Sequence, residues 1–457
     1  MPQFVQRSTI DASAEEVYGW HARRGAFERL VPPWEQLRVV ERQGGIADGD
    51  RMVIELRRGP LRVRWTAMHR DHHAGRQFRD VQIDGPFGSW THTHRFIPDG
   101  PRRSVLEDEI DYRLPYGPLG PLLGGIAVHR TLARTFRYRH ARIRDDLARH
   151  QRVADRGAQR VVVSGASGLV GQQLTAFLTT GGHRVDRLVR DAPHPGSTDV
   201  AWHPERGELD AAALEGADAV VHLAGESIAA GRWTPERKRA ILESRTQGTS
   251  LLAETLARLD RRPRVLISAS AIGFYGDRGD QLLTEQSPPG DGFLADVCRA
   301  WEAAAASAAR AGIRVVTLRL GVVLSARGGA LARMLIPFRL GAGGVIGSGL
   351  QYLSWIHLDD VIGAIYDLMF ADAVSGPVNA VAPTPVTNAE LTRTLATVLG
   401  RPAIVPLPAA AARLVFGEMG QALLLDGARV APARLTALAF AFLHPNLEGA
   451  LRTETGA

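Results

Sequence analysis

The hydrophobic and polar positions follow two different patterns in the two parts of the chain. In the first 150 residues, short strands with period-two alternation predominate. A strand is predicted over Phe4 to Ile10, and Ser13 with Glu16 has the spacing of a capping box at a helix start. In Leu61 to Ala67 the odd positions are apolar and the even ones mostly polar, which predicts a strand whose odd face is buried. These patterns indicate an α+β domain.

A long arginine-rich helix is predicted to close this domain, because four apolar positions fall on one side of it: Leu132, Phe136, Ile143 and Leu147. This order of elements resembles the START-like, polyketide-cyclase-type (SRPBCC) helix-grip fold. In that family the sheet curls around the last helix and encloses an apolar cavity, so the resemblance implies binding of a small hydrophobic ligand. The alternative is a filled core without a ligand.

Histidines are frequent in this part of the chain. His92 and His94 lie two apart in a predicted strand and therefore on one face. No framework of cysteines and histidines with metal-ligand spacing accompanies them. We therefore expect surface or half-buried histidines and no metal site.

From Arg160 onward short apolar strands alternate with helix-forming stretches, which predicts a parallel, doubly wound sheet. The apolar run Val161 to Val163 leads directly into a glycine-rich loop that opens a helix. Such a loop permits a tight turn and close approach of backbone to a pyrophosphate at the helix N-terminus. We therefore predict a dinucleotide site at Gly165, Ala166, Ser167, Gly168, Leu169, Val170 and Gly171.

The second strand of this region, Arg184 to Val189, is followed by Arg190. An acidic residue here would bind the ribose hydroxyls of NAD, whereas an arginine pairs with the 2′-phosphate of NADP. NADP is therefore the expected cofactor; the alternative for Arg190 is an exposed loop residue. Further cofactor contacts are predicted at the ends of other strands: Val189, Leu223, Ala224, Gly225 and Val323.

A series of motifs is similar to the extended short-chain dehydrogenases of the atypical epimerase family, described as NAD-dependent epimerase/dehydratase-like. The motifs are the glycine loop 165–171 and residues 223–226, 232–234, 244–249, 268–276, 290–295, 354–360 and 385–388. The resemblance covers residues 160 to about 452. It implies an α/β Rossmann domain followed by a small C-terminal domain of unknown function on the substrate side.

The catalytic pattern of that superfamily, a serine followed by Tyr-x-x-x-Lys, is incomplete here. Ser270 fits the serine position, but Leu294 and Cys298 stand where the tyrosine and lysine should be. Lys238, the only lysine in the chain, lies well upstream. Tyr275 is the remaining candidate for proton transfer; its alternative is an aromatic residue that packs on the loop.

Arg245 is a second departure, because relatives usually have an asparagine at this position. The resemblance implies that its guanidinium reaches the cofactor and supplies the missing lysine's positive charge. The alternative is an arginine on a helix surface.

The composition changes this picture little. The chain has 457 residues, 45% hydrophobic and 23% charged, with a formal net charge of +7. The arginines are interleaved with acidic residues and form no basic stripe, so we expect no nucleic-acid partner. No apolar run is long enough to span a membrane, which favours a cytoplasmic protein.

The predicted organisation is a helix-grip domain over 1–150, a linker over 151–159, a Rossmann domain over 160–400 and a C-terminal domain over 401–457. The expected function is that of an NADP-dependent oxidoreductase or a nucleotide-sugar-epimerase-like enzyme acting on an unknown small molecule. The alternative is a non-catalytic NADP-binding or redox-sensing protein whose N-terminal module binds a hydrophobic ligand.

Overall fold

The computed structural model describes residues 2–59, 61–115, 119–193 and 196–457, without the side chains of residues 58 and 119–123. The chain forms two compact units. The first comprises Met1–Ala158 with Ala176–His183 and Gly456, and the second comprises Gln159–Thr175 and Arg184–Thr455 with Ala457. Within the described ranges, no helix is long and apolar enough to cross a membrane.

The first unit is built on one antiparallel sheet of seven strands in the order β1-β7-β6-β5-β4-β3-β2. Its strands are β1 (Gln3–Ile10), β2 (Leu37–Gln43), β3 (Arg51–Arg58), β4 (Leu61–His73), β5 (Gln77–Asp84), β6 (Ser89–Pro98) and β7 (Ser104–Arg113). Its helices are α1 (Ala14–Ala22), α2 (Ala26–Leu30) and α3 (Leu119–Gln151), with a 3₁₀ turn at Ala154–Arg156.

The capping box and the closing helix of this unit are confirmed. Ser13 and Glu16 bond reciprocally at the start of α1. The four apolar positions of α3 pack among buried residues of the sheet in two clusters, one around Trp20 and Phe96 and the other around Trp90 and Tyr112. A seven-stranded sheet closed by one long helix is the helix-grip architecture that the sequence predicted.

The predicted buried face of β4 is confirmed only in part. Arg62 and Arg64 are exposed and Trp65 packs against the apolar cluster that contains Trp90, as predicted, but Leu61 is 66% exposed and Thr66 is buried. The pairing of β4 with β5 shifts register between Thr66 and Ala67. Such a bulge changes which alternate positions face the core, so a parity rule read along the whole strand fails here.

The expectation of surface or half-buried histidines is also wrong. His92 and His94 on β6 are 4% and 6% exposed. Their rings contact Asp108 on β7, which also receives His140 from α3. The carboxylate lies far away in sequence, so a local pattern could not reveal that these imidazoles have buried partners.

The second unit contains an eight-stranded sheet in the order β11-β10-β9-β8-β12-β13-β15-β19. Its strands are β8 (Arg160–Ser164), β9 (Arg184–Val189), β10 (Val200–His203), β11 (Glu208–Leu209), β12 (Ala219–His222), β13 (Val265–Ala271), β15 (Arg314–Leu320) and β19 (Gly376–Ala380). Short strands outside it are β14 (Leu282–Leu283), β16 (Val322–Leu324), β17 (Tyr352–Leu353), β18 (Trp355–His357), β20 (Val386–Thr387) and β21 (Arg429–Val430).

Helices flank this sheet: α4 (Leu169–Thr180), α5 (Pro235–Ala257), α6 (Phe293–Ala304), α7 (Ala306–Arg310), α8 (Gly329–Arg339), α9 (Leu358–Phe370), α10 (Asn388–Leu399), α11 (Ala409–Phe416), α12 (Glu418–Gly420), α13 (Ala433–Ala437) and α14 (Leu447–Thr455). The C-terminal helices belong to the same compact unit as the sheet. Strands β8 to β10, β12, β13 and β15 pair in parallel, and they follow the doubly wound order in which the chain reverses direction beside β8.

Candidate functional site

The register of the central strands brings three loops to one edge of the sheet. Ser164, the last residue of β8, pairs with Leu188 of β9 and with His222 of β12. The residues that follow these positions therefore leave the sheet at the same level. In a doubly wound sheet the crevice at the carboxyl ends of the strands, beside the reversal point, is where ligands bind.

The glycine loop lies against the end of β12. Gly165 has φ +69°, and a Cβ built on it would lie 2.7 Å from the Leu223 carbonyl carbon. A Cβ on Gly171 would lie only 2.2 Å from the Gly165 carbonyl oxygen. Both glycines are therefore required for this tight packing, as the sequence pattern indicated. Helix α4 begins at Leu169 within this loop, and the first N–H groups of a helix, which lack intrahelical partners, favour an anionic group.

One predicted contact residue from a distant part of the chain, Val323, lies near this loop. The Leu169 side chain comes within 3.6 Å of the Cβ positions of Gly328 and Gly329. The Val323 carbonyl oxygen lies 3.8 Å from the same point on Gly329. The segment after β16 thus borders the glycine loop.

Arg190 lies immediately after β9 and is exposed. Its strand register puts it two residues beyond Leu188, next to the level of the glycine loop. The neighbouring Arg187 is held by Asp199 through two bonds of 2.7 and 2.5 Å. Arg190 is thus the exposed guanidinium at the end of this strand.

A buried hydrogen-bond network lies next to the glycine loop, and the sequence did not indicate it. His222 is fully buried, with Nδ1 2.6 Å from the Ser164 hydroxyl and Nε2 3.0 Å from that of Thr249. The Leu223 N–H donates to the Ser164 hydroxyl. Burial lowers the pKa of His222 to about 4, so the ring is neutral at pH 7. It connects the ends of β8 and β12 with α5.

Arg245 on α5 does not lie on an open helix surface. Its guanidinium lies 5.0 Å from the centre of the Trp301 ring and 3.4 Å from the Cβ position of Gly225. Burial lowers its pKa, while the nearby Cys298 and Glu226 act in the opposite direction. A positive charge therefore lies between the end of β12 and the position where relatives have their lysine.

Ser270 is buried and its hydroxyl donates to Glu302 at 2.8 Å. Arg319 binds both oxygens of the same carboxylate at 2.8 Å. The serine at the catalytic position of the superfamily is therefore part of an ion-pair network between β13, α6 and β15.

Tyr275 is 0% exposed, and its hydroxyl uses both of its hydrogen-bonding roles. It donates to Asn379 at 2.7 Å and accepts from Arg319 at 2.9 Å. Burial raises its pKa. This geometry corresponds to a packed structural tyrosine and does not support the hypothesis that its phenol reaches the cleft.

On α6, Leu294 at the position of the missing tyrosine is half-buried, and Cys298 at the position of the missing lysine is buried. The Leu294 Cβ would come within 3.2 Å of a Cβ on Gly273. Burial raises the pKa of the Cys298 thiol to about 11, so it is protonated at neutral pH. Neither side chain offers a proton-transfer group.

Lys238 reaches the start of α6, which the sequence did not indicate. Its Nζ lies 4.9 Å from the centre of the Phe293 ring and 2.6 Å from Glu418 of α12. Trp233 packs against the same ring at 5.0 Å. These residues form a mixed aromatic and charged wall beside the position of the missing tyrosine.

The strand order and the glycine loop define the class of this unit, a Rossmann fold of the extended short-chain dehydrogenase type. The model of the NAD dependent epimerase/dehydratase family matches residues 161–380. A domain of unknown function matches residues 407–454, and the polyketide cyclase/dehydrase and lipid transport family matches residues 10–136. The chain belongs to the epimerase family and carries an N-terminal domain of the polyketide cyclase type.

Individual relatives agree with this assignment. An epimerase family protein of Mycobacterium bovis is 43% identical over 291 residues, which are 64% of this chain and 96% of the relative. A solved nucleoside-diphosphate sugar epimerase of Corynebacterium glutamicum has 36% identity and a TM-score of 0.82, and covers 99% of this chain and 90% of its own. Human epimerase family protein SDR39U1, solved with NADPH, has 37% identity and a TM-score of 0.59, covering 65% and 99%.

Proposed function

We propose that the second unit binds NADP(H) in the crevice at the carboxyl ends of β8, β9 and β12. The observation that carries this proposal is the register of Ser164 with Leu188 and His222, because it aligns three chain segments at one level. The glycine loop at residues 165–171 would hold the pyrophosphate. Residues 223–225 would pass beside the adenosine half, and Arg190 would bind the 2′-phosphate.

The preference for NADP over NAD rests on Arg190. Its exposed side chain follows β9, where an acidic residue would instead bind the ribose hydroxyls of NAD. The solved human relative, at 37% identity, was obtained with NADPH, which supports the same choice of dinucleotide.

Replacement of Arg190 by alanine tests the specificity. A charge-assisted bond to a phosphate contributes about 1.5–3 kcal/mol. We therefore expect Arg190→Ala to weaken NADPH binding by about 10- to 100-fold and to leave NADH binding within about twofold, measured by calorimetric titration. Arg206→Ala is the matched control, since Arg206 is another exposed arginine of this unit. An equal loss for both nucleotides, or none, would reject this role.

We propose further that the dinucleotide serves binding or redox sensing and not the Ser-Tyr-Lys chemistry of the superfamily. The Ser270 hydroxyl donates to Glu302, and the Tyr275 hydroxyl already donates one hydrogen bond and accepts another. Cys298 is a buried neutral thiol. These contacts favour the non-catalytic alternative. NADPH consumption with a metabolite pool, followed at the nicotinamide absorbance, tests it: the expected result is tight binding without turnover.

The second candidate function is an NADP-dependent oxidoreductase or nucleotide-sugar-epimerase-like enzyme. Arg245 favours it, because its guanidinium lies beside Gly225 and near Cys298, where it can replace the charge of the missing lysine. In that case the wall formed by Trp233, Phe293 and Lys238 would contact the substrate. Turnover with any metabolite pool would decide for the enzyme.

Two sequence predictions remain proposals: a cytoplasmic location and a hydrophobic ligand of the first unit. The interior of that unit contains a buried histidine and aspartate cluster between two apolar clusters. This polar cluster argues against a purely apolar ligand in the first unit.

A further inference from the structure

One continuous row of side chains crosses the interior of the first unit. On β6, every second residue from Trp90 to Phe96 faces inward, so that His92 and His94 lie between the two aromatic residues. On β7, Asp108 lies between Leu106 and Ile110. These polar residues occupy the middle of a core that is apolar at both ends. Buried ionisable groups are costly unless they pair or coordinate a metal.

Three ligand atoms converge in this row. The Asp80 Oδ2 atom lies 3.2 Å from His94 Nε2 and 3.6 Å from His92 Nδ1. Metal bonds of about 2.0–2.1 Å in a tetrahedral arrangement require ligand atoms about 3.3–3.4 Å apart. The two distances bracket that value. Asp80, His92 and His94 thus have the spacing of a site with two imidazoles and one carboxylate.

In each of these three side chains, the polar atom that is not one of the three converging ligand atoms contacts a second group. Asp108 Oδ1 lies 2.8 Å from His92 Nε2 and 2.6 Å from His94 Nδ1. His69 Nε2 lies 2.8 Å from the other oxygen of Asp80. Metal-binding histidines commonly donate their second N–H to a carboxylate, which fixes the tautomer and raises the basicity of the ligand nitrogen.

The tautomers that follow from these contacts leave two lone pairs facing one carboxylate. When Asp108 accepts a hydrogen bond from His92 Nε2 and lies in ion-pair contact with His94 Nδ1, the remaining nitrogens are His92 Nδ1 and His94 Nε2. Both are directed towards Asp80 Oδ2. A positive group is needed between these atoms, and it can be either a proton on His94 Nε2, which lies within hydrogen-bond distance of Asp80 Oδ2, or a metal ion in its place.

We propose that Asp80, His92 and His94 bind one divalent first-row transition-metal ion, with Asp108 and His69 orienting the ligands. Nitrogen and oxygen donors without sulfur suit Zn²⁺, Fe²⁺ or Co²⁺. Three protein ligands leave at least one coordination position for water or a small molecule. The Asp80 side chain is 24% exposed, which gives the ion a route into the site.

Titration of the full-length chain, produced without a polyhistidine tag and stripped with a chelator, tests this proposal. We expect Co²⁺ to produce visible d–d absorption that saturates at one ion per chain and disappears when Zn²⁺ is added. X-ray absorption of the Zn²⁺ form should show nitrogen and oxygen ligands only. Wild-type protein that binds no stoichiometric metal would overturn the proposal and leave a buried ion-pair network.

Substitutions locate the ion. Asp80→Asn and His92→Gln should abolish the Co²⁺ spectrum, whereas Asp108→Asn should keep the stoichiometry and weaken affinity by about 10- to 100-fold. His73→Ala removes an exposed histidine of the same sheet, and His444→Ala alters a second group with Asp359 and His357. Both controls should bind as the wild type does. Loss of the spectrum in His444→Ala alone would assign the ion to that other group and reject our site.

Discussion

At the scale of single residues, His222 connects the strand end before the glycine loop with β12 and α5 through hydrogen bonds. Its imidazole joins the hydroxyls of Ser164 and Thr249, and Ser164 in turn accepts from the Leu223 N–H. The Thr249 hydroxyl donates its proton to the Arg245 carbonyl oxygen. Towards the ring it therefore acts as an acceptor, and Nε2 of His222 is the donor. With a neutral ring, Nδ1 accepts the Ser164 hydroxyl proton while Nε2 donates to Thr249.

Acidification should therefore destabilise this unit through His222. The unfolded chain binds the proton near the ordinary pKa of 6.5, whereas the folded chain binds it only near 4. The free energy of unfolding is thus fully maintained above pH 6.5 and falls as the pH decreases towards 4, by about 2 kcal/mol between pH 7 and 5 from this residue. Urea unfolding of wild type and His222→Asn at both pH values measures the difference. Equal pH dependence of the two proteins would contradict it.

Arg245 is the candidate for a direct contact between α5 and the cofactor. If its guanidinium contacts the nicotinamide ribose or the phosphates, Arg245→Ala should weaken NADPH binding by about 10-fold or more, since a charge-assisted bond is lost. Arg258→Ala, at the C-terminal cap of α5, is the control. Unchanged NADPH affinity in Arg245→Ala would restrict Arg245 to its packing against Trp301.

The glycine loop shows how far the sequence predicts such detail. Gly165 and Gly171 could be identified because backbone geometry restricts these positions to glycine. The roles of Ser270 and Tyr275 could not, since they depend on Glu302, Arg319 and Asn379 from other elements. Long-range partners of this kind leave no periodic signal in the chain.

At the scale of elements, β8, the glycine loop and the start of α4 are packed tightly together. The α4 backbone approaches the loop so closely that the Gly171 position has no space for a side chain. The central strands of this sheet were predictable from their apolar runs because both faces are buried, whereas β10, β11 and β19 were not predicted. On β4 the alternation predicted the inward-facing Trp65 but not the buried Thr66, since the bulge beside Thr66 changes the buried face.

Gly171→Ala should therefore disrupt the loop. The added methyl would lie 2.2 Å from the Gly165 carbonyl oxygen, so the helix must shift and the pyrophosphate site is distorted. We expect loss of measurable NADPH binding and a lower midpoint of thermal unfolding. Gly125→Ala, a helical glycine of α3 with open space around its Cβ, should leave binding unchanged. Normal NADPH binding by Gly171→Ala would contradict the close approach.

At the scale of the whole molecule, the chain combines two units with different chemistry. The second unit has the loop, register and exposed arginine of a dinucleotide site, but its serine and tyrosine are held in a buried network. The first unit places imidazoles and carboxylates at the centre of its core. Family membership follows from the sequence, whereas the state of the catalytic positions required the structure.

The most direct test of the account is a calorimetric titration of the full-length chain with NADPH and, separately, with NADH. We predict one NADPH per chain, bound at least about 10-fold more tightly than NADH, because Arg190 adds a charge-assisted contact to the 2′-phosphate alone. Absence of binding for both nucleotides would contradict the assignment of the crevice. Tighter binding of NADH would contradict the role of Arg190.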